Sequence, residues 1–123
     1  MIYLTTPYSH PDDKVKEARF VEACRISSIL MKRGIVVYSP IAHCHPIATR
    51  FDVPTDWEFW KHFDKEIISL CRDGILVIRM EGWRESKGVS AEIQIAEELK
   101  LPISYADPED FYDRTQTEQR QIP

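Results

Sequence analysis

Ile75-Leu76-Val77-Ile78-Arg79-Met80, the polar stretch Glu81 to Ser86, the segment Gly88 to Lys100 and then Pro102-Ile103-Ser104-Tyr105 decide the fold. The first run is short, apolar and rich in β-branched residues, which reads as a buried strand. The segment from Gly88 to Lys100 is long enough for a helix, and Ser86 is a good cap in front of it. The last piece returns as another strand. A strand, a helix and a strand in this order form a crossover unit, so the two strands run parallel.

The same alternation extends towards the N-terminus. Ile2-Tyr3-Leu4 reads as a first strand closed by Thr5-Thr6-Pro7. A long helix opens at Pro11 and Asp12, with Ser9 or His10 near its cap. Phe20, Ala23, Cys24, Ser27, Leu30 and Met31 are its expected packed face, and Gly34 is its stop. Ile35 to Tyr38 reads as a second strand. The segment from Pro40 to Asp56 carries Pro40, Pro46 and Pro54 with little periodicity, and reads as a long connector suited to a lid or binding loop. A further helix, capped by Thr55 or Asp56, runs to about Arg72 and ends near Gly74. Pro108 to Tyr112 reads as a last helical turn. The pattern predicts a single α/β domain over 1–112, a three-layer sandwich with a central parallel sheet of four to five strands, flavodoxin-like or Rossmann-like, and a polar, flexible tail over 113–123. In such sheets ligands sit at the carboxyl ends of the strands, which nominates the loops after Leu4, Tyr38, Met80 and Tyr105.

Composition narrows the function. With 123 residues, 43% apolar and 29% charged, the chain is ordinary for one globular domain. Its formal charge of −4, with no basic run, argues against coating a nucleic acid polymer or an anionic membrane. No apolar run approaches a membrane span, and Met1-Ile2-Tyr3-Leu4 lacks the charged start of a signal peptide, so a soluble, cytoplasmic protein is expected. Cys24, Cys44 and Cys71 are odd in number and share no close spacing, which disfavours a disulfide framework. A small anionic ligand needs only a local cluster of donors.

Three positions could supply it with chemistry. Ser86-Lys87-Gly88 opens a helix whose first amides point outward, a natural seat for phosphate or carboxylate, and Lys87 or Arg84 could add charge; plain capping is the alternative. Glu92 lies about one turn inside that helix, where the dipole favours an ionised carboxylate suited to nucleophilic attack; the alternative is a solvated surface glutamate. Its neighbours Val89, Ala91, Ile93 and Ala96 place it beside the packed face. Asp64 stands inside the apolar face made by Phe59, Trp60, Phe63, Ile67, Ile68 and Cys71, at i+4 from Trp60 and i−4 from Ile68. It must be paired, solvated in a pocket or held neutral, unless it turns outward to Lys61 or Lys65. His43-Cys44-His45 invites a metal, but His10, His62, Cys24 and Cys71 do not complete spaced ligand pairs. A ligand-binding role in the Pro-rich segment fits the two histidines at least as well. Tyr3, Tyr8, Trp57, Trp60 and Trp83 could stack on a planar base or simply fill the core.

Taken in order, these elements resemble the nucleoside 2-deoxyribosyltransferase superfamily, including its nucleoside 5'-monophosphate N-hydrolase and N-glycosidase branch, over roughly Met1 to Tyr105. The resemblance implies that Tyr3 orients a catalytic glutamate, that Glu92 of Ser86-x-Gly88-x-x-x-Glu92 is the nucleophile at the anomeric carbon, and that Asp64 handles the proton. It implies Ser86 and Gly88 at the 5'-phosphate; beside it, the residues themselves suggest Lys87 at the phosphate and Thr5, Thr6, Tyr8, His43 and Trp60 around base and sugar. No metal or organic cofactor is required, and a homodimer or larger homo-oligomer is implied. The transferases resembled carry an acidic residue where this chain has Ser86. A serine donates a hydrogen bond without repelling a phosphate dianion, which favours a nucleotide over a free nucleoside. The first loop, often glycine-rich in that superfamily, is Thr5-Thr6-Pro7-Tyr8 here. The expected activity is hydrolysis of the N-glycosidic bond of a small-molecule (deoxy)nucleoside 5'-monophosphate. Deoxyribosyl transfer between bases and a non-catalytic nucleotide-binding module are the alternatives.

Overall fold

A computed structural model describes residues 1–111; the tail over 113–123, read as flexible, lies outside the described residues, as does Tyr112. The strands are β1 (Ile2–Thr5), β2 (Val37–Tyr38), β3 (Ile75–Ile78) and β4 (Ile103–Ala106). The helices are α1 (Asp13–Lys32), α2 (Pro40–Phe51), α3 (Trp57–Leu70) and α4 (Lys87–Glu98), followed by a 3₁₀ turn over Pro108–Asp110. The strands pair in parallel in the order β2-β1-β3-β4, with Tyr3 opposite Tyr38 on one side and Ile75 on the other. The flavodoxin-like, Rossmann-like sandwich read from the sequence is the observed architecture, with four strands among the described residues.

Alternation along each strand builds two cores. Tyr3, Ile75 and Val77 point to one face, where they pack with Ile68 and Cys71 beside α3 and with Val89 and Ala96 of α4. Leu4 and Ile78 point to the other, against Ile26, Ile29 and Leu30 of α1, with Met80 and Phe111. The apolar stripe of α1 is therefore rotated from the expected one: Ile26 and Ile29 are buried, whereas Met31 is exposed beside the Gly34 stop. Helix α1 is capped by Asp12, whose side chain accepts the Lys14 N–H, and not by Ser9 or His10; His10 accepts the Asp12 N–H one step earlier. Strand β2 is shorter than read. Ile35 is still folding back onto the end of α1 through its N–H to the Leu30 carbonyl.

The main correction falls on Pro40 to Asp56. Most of that segment is α2, not a connector. Ser39 caps it by accepting the Ala42 N–H at 3.1 Å, and Pro40 sits in the first turn, where its missing N–H costs nothing. Pro46 lies inside the helix and removes one rung, yet α2 is held by packing along α1 and against β1. The helix ends at Asp52 in the left-handed conformation. No helix among the described residues is long and apolar enough to cross a membrane.

The turn into β3 depends on Gly74. Its φ is +88°, and a Cβ there would lie 2.0 Å from the Pro102 carbonyl oxygen, which accepts the Ile75 N–H that starts β3–β4 pairing. We expect Gly74→Ala to destabilise the domain by more than ~2 kcal/mol in chemical denaturation, through both strain and clash. A midpoint within error of the native protein would contradict this.

Candidate active site

The loops after β1, β2 and β3 close around a cavity of about 390 Å³ at the carboxyl ends of the strands. The first is the point where the chain, having placed β2 on one side of β1, has β3 on the other, the position expected to bind ligands in open α/β sheets. The fourth nominated loop, after Tyr105, does not reach it. Arg19 ties two walls together. Its guanidinium donates to the Ser9 carbonyl at 2.9 Å in the loop after β1 and to the Glu81 carbonyl at 3.2 Å in the loop after β3.

Asp64 from α3 and Glu92 from α4 both line this cavity, and both are buried, with 6% and 4% of their surface exposed. Helices α3 and α4 pack side by side on the same face of the sheet, so two acids 28 positions apart in the chain share one space. Asp64 does not turn outward: Lys61 pairs with Glu58 instead, and Asp64 Oδ1 has no hydrogen-bond partner among the described residues. Behind them Tyr3, fully buried in β1, donates its hydroxyl proton to Glu92 Oε2 at 2.5 Å. Tyr3 does not line the cavity; it supports the wall.

Burial dominates the charge state. It is the main cause that lifts Glu92 well above the usual carboxylate range, and the Asp64 charge adds to it. The Tyr3 hydroxyl, and Thr5 from beyond hydrogen-bond geometry, pull the other way. Burial likewise lifts Asp64 to about 6, with the Tyr3 hydroxyl opposing. The dipole-held, ionised Glu92 expected from its position is thus overturned: burial pushes the carboxyl towards its protonated form. Dipole stabilisation fades beyond the first turn, while desolvation of a fully buried carboxylate does not. Two such acids titrate as a pair and keep a proton between them into the neutral range. Burial also lifts Tyr3 well above its ordinary value, with Glu92 and Asp64 adding to it, so it remains a phenol and a donor.

The start of α4 forms one end of the cavity. Ser86 Oγ accepts the Val89 N–H at 3.2 Å, which leaves the serine's own proton free to be donated. The N–H groups of Lys87 and Gly88 have no protein acceptor among the described residues. A Cβ on Gly88 would meet Ser86 Oγ and Trp57 only at 3.9 Å, so the fold itself does not demand glycine there.

The remaining expected residues divide. Thr6, Tyr8, Trp60, Ser86, Lys87 and Gly88 line the cavity. The Thr6 hydroxyl is buried and has no partner among the described residues, while Trp60 Nε1 donates to the Pro54 carbonyl at 2.6 Å. Thr5 is fully buried beneath the cavity. His43 is exposed, edge-on to Tyr38, and outside the cavity; His45 lines it instead. The difference follows from α2, which turns successive residues to different sides. Ile41, Cys44, His45 and Ala48, all cavity-lining, recur at helical spacing, and that spacing was the available signal. Trp57, one of the aromatics read as able to stack on a planar base, lines the cavity too, and Glu85 completes a wall that the sequence did not single out. Burial, then the Asp64 and Glu92 charges, pushes the Cys44 thiol up to about 12, so it stays protonated and unreactive. Among the described residues no three His, Cys, Asp or Glu side chains gather where they could hold a metal ion.

Raised carboxyl pKa values have a stability consequence of definite sign. Below the ordinary carboxylate range near pH 4 both folded and unfolded states are protonated and nothing is gained or lost. As pH rises towards and past 6, the unfolded chain releases its protons more readily, so folded stability falls. Asp64→Asn should therefore melt about 5 °C above the native protein at pH 7.5, with the gap closing near pH 4. A variant that melts lower at pH 7.5 would mean the carboxylate is better satisfied than its burial implies.

The chain matches no curated protein. Residues 1–107, all four strands and the cavity included, match the family model described as a domain of unknown function, DUF1937, and the chain belongs to that family.

Proposed function

We propose that the protein is an N-glycosidase that hydrolyses a (deoxy)nucleoside 5'-monophosphate to free base and sugar 5-phosphate. The observation that carries this reading is the convergence of Asp64 and Glu92, buried and facing one cavity, with the open N-terminus of α4 at its end. Paired carboxyls are what cleavage through an oxocarbenium-like state requires, and the free donors of Ser86, Lys87 and Gly88 suit a phosphate dianion.

In this reading Glu92 attacks C1'. The C1'–N bond breaks, its electron pair leaves with the base, and Asp64 supplies the proton that the departing base takes. Water then attacks C1' of the glycosyl-enzyme, its proton passes to Asp64 and Glu92 is released. The proton that the two acids share serves this sequence. Positive charge developing on the sugar favours ionised Glu92, leaving the proton on Asp64. Tyr3 fixes the attacking carboxyl. Trp60 and Ile41 offer faces for the base, and Thr6 an unspent hydroxyl for the sugar. The chain acts in the cytoplasm on a small molecule, as a homodimer or larger assembly, and exposed Phe63 and Leu70 on α3 give that assembly an apolar surface.

Incubation with a panel of ribo- and deoxyribonucleoside monophosphates should liberate free base without an acceptor base, and Glu92→Gln should slow release by at least ~10³-fold while binding persists. Gly88→Ala should keep the melting temperature yet weaken monophosphates by ~10-fold or more relative to nucleosides, because the added methyl fills the phosphate approach. Base release that needs a second base would make the enzyme a transferase. Nucleotide binding without any release, indifferent to Glu92→Gln, would leave only a binding module.

A further inference from the structure

One part-buried network is not used by the proposed chemistry. On the wall of the cavity, Tyr8 Oη lies 2.6 Å from His45 Nδ1, and His45 Nε2 lies 2.7 Å from Glu17 Oε2. His45 is 7% exposed and its ring stacks on Phe20 at 4.4 Å, so both of its nitrogens are committed and its plane is fixed. Glu17, on α1, is 60% exposed and lies outside the cavity.

Proton counting sets the direction of each bond. A carboxylate only accepts, so an imidazole with one proton must carry it on Nε2, facing Glu17. Nδ1 is then a lone pair, and at 2.6 Å from a hydroxyl it accepts the Tyr8 proton. Burial, with Asp13 and Glu17 nearby, lifts Tyr8 above its ordinary value, so it keeps a single proton to give. That proton is spent on His45, and the phenol oxygen can offer a ligand only lone pairs.

We propose that Glu17 and His45 are positioning residues that hold Tyr8 as a hydrogen-bond acceptor, and that Tyr8 thereby selects a base bearing an amino group over its oxo counterpart. The proposal rests on the nucleotide reading above and adds the base class to it. An oxo group opposite Tyr8 would set acceptor against acceptor, a mismatch that costs ~10-fold or more in affinity.

The test is equilibrium binding at pH 8 of AMP against IMP and of CMP against UMP. The amino member of at least one pair should bind ~10-fold or more tightly than its oxo partner. Tyr8→Phe should bring that ratio within ~3-fold. Glu17→Gln, outside the cavity, should lower it too: a glutamine amide can donate to Nε2, which moves the ring proton to Nδ1 and frees Tyr8 to donate. A purely structural role would weaken both members alike. Equal affinity within both pairs in the native protein, or a ratio unmoved by either variant, would overturn the proposal. Base release is scored separately, so an amino preference without turnover would overturn the glycosidase reading and uphold this one.

Discussion

Two carboxyl groups that share one desolvated space cannot both ionise cheaply, and the geometry of this domain keeps them there. Tyr3 anchors the arrangement from beneath, joining β1 to α4 through the proton it gives Glu92. Since Tyr3 is fully buried in the central strand, its hydroxyl is as fixed as the sheet. Asp64 is set by the packing of α3 against α4 and keeps one oxygen without a partner among the described residues. An unpaired buried oxygen is a standing cost to the fold, of the kind native proteins retain where a ligand or a proton transfer uses it.

The sheet explains why that cost is met at this place. Parallel strands end together, and the loops after β1, β2 and β3 leave a space bounded by the start of α4. Within a few residues α4 supplies two kinds of group, open amides with a capping hydroxyl at its first turn and a carboxyl on its buried face. Arg19 then locks the loops after β1 and β3 in register from α1. The open start of α4, the carboxyl pair and the loop walls are thus parts of one frame.

The alternation of strands and helices was legible because each strand is a short apolar run and each crossover carries its own stop at a glycine or proline. Asp64 was legible because a charge inside an aromatic face violates the pattern around it. Helix α2 was not, since its three flanking and internal prolines resemble breakers, and only tertiary packing decides that Pro40 starts a helix and Pro46 is tolerated. With α2 went the distinction between His43 and His45, which lie two positions apart and face opposite environments. The charge state of Glu92 was misjudged for a related reason: position in a helix is local, whereas desolvation is a property of everything packed around it. The link from Glu17 through His45 to Tyr8 joins three separate segments and has no local signature at all.

In the proposed reaction, a covalent bond between sugar and enzyme is the most direct consequence of Glu92 attacking an anomeric carbon. A 2-fluoro-substituted arabinosyl nucleoside 5'-monophosphate slows breakdown of such a bond more than its formation, so the adduct can be digested and sequenced by mass spectrometry. We expect the mass of the fluorinated sugar phosphate on the peptide that contains Glu92, localised to that residue and absent from Glu92→Gln. Base release from natural monophosphates with no adduct, or an adduct on any other side chain, would contradict the assignment of Glu92.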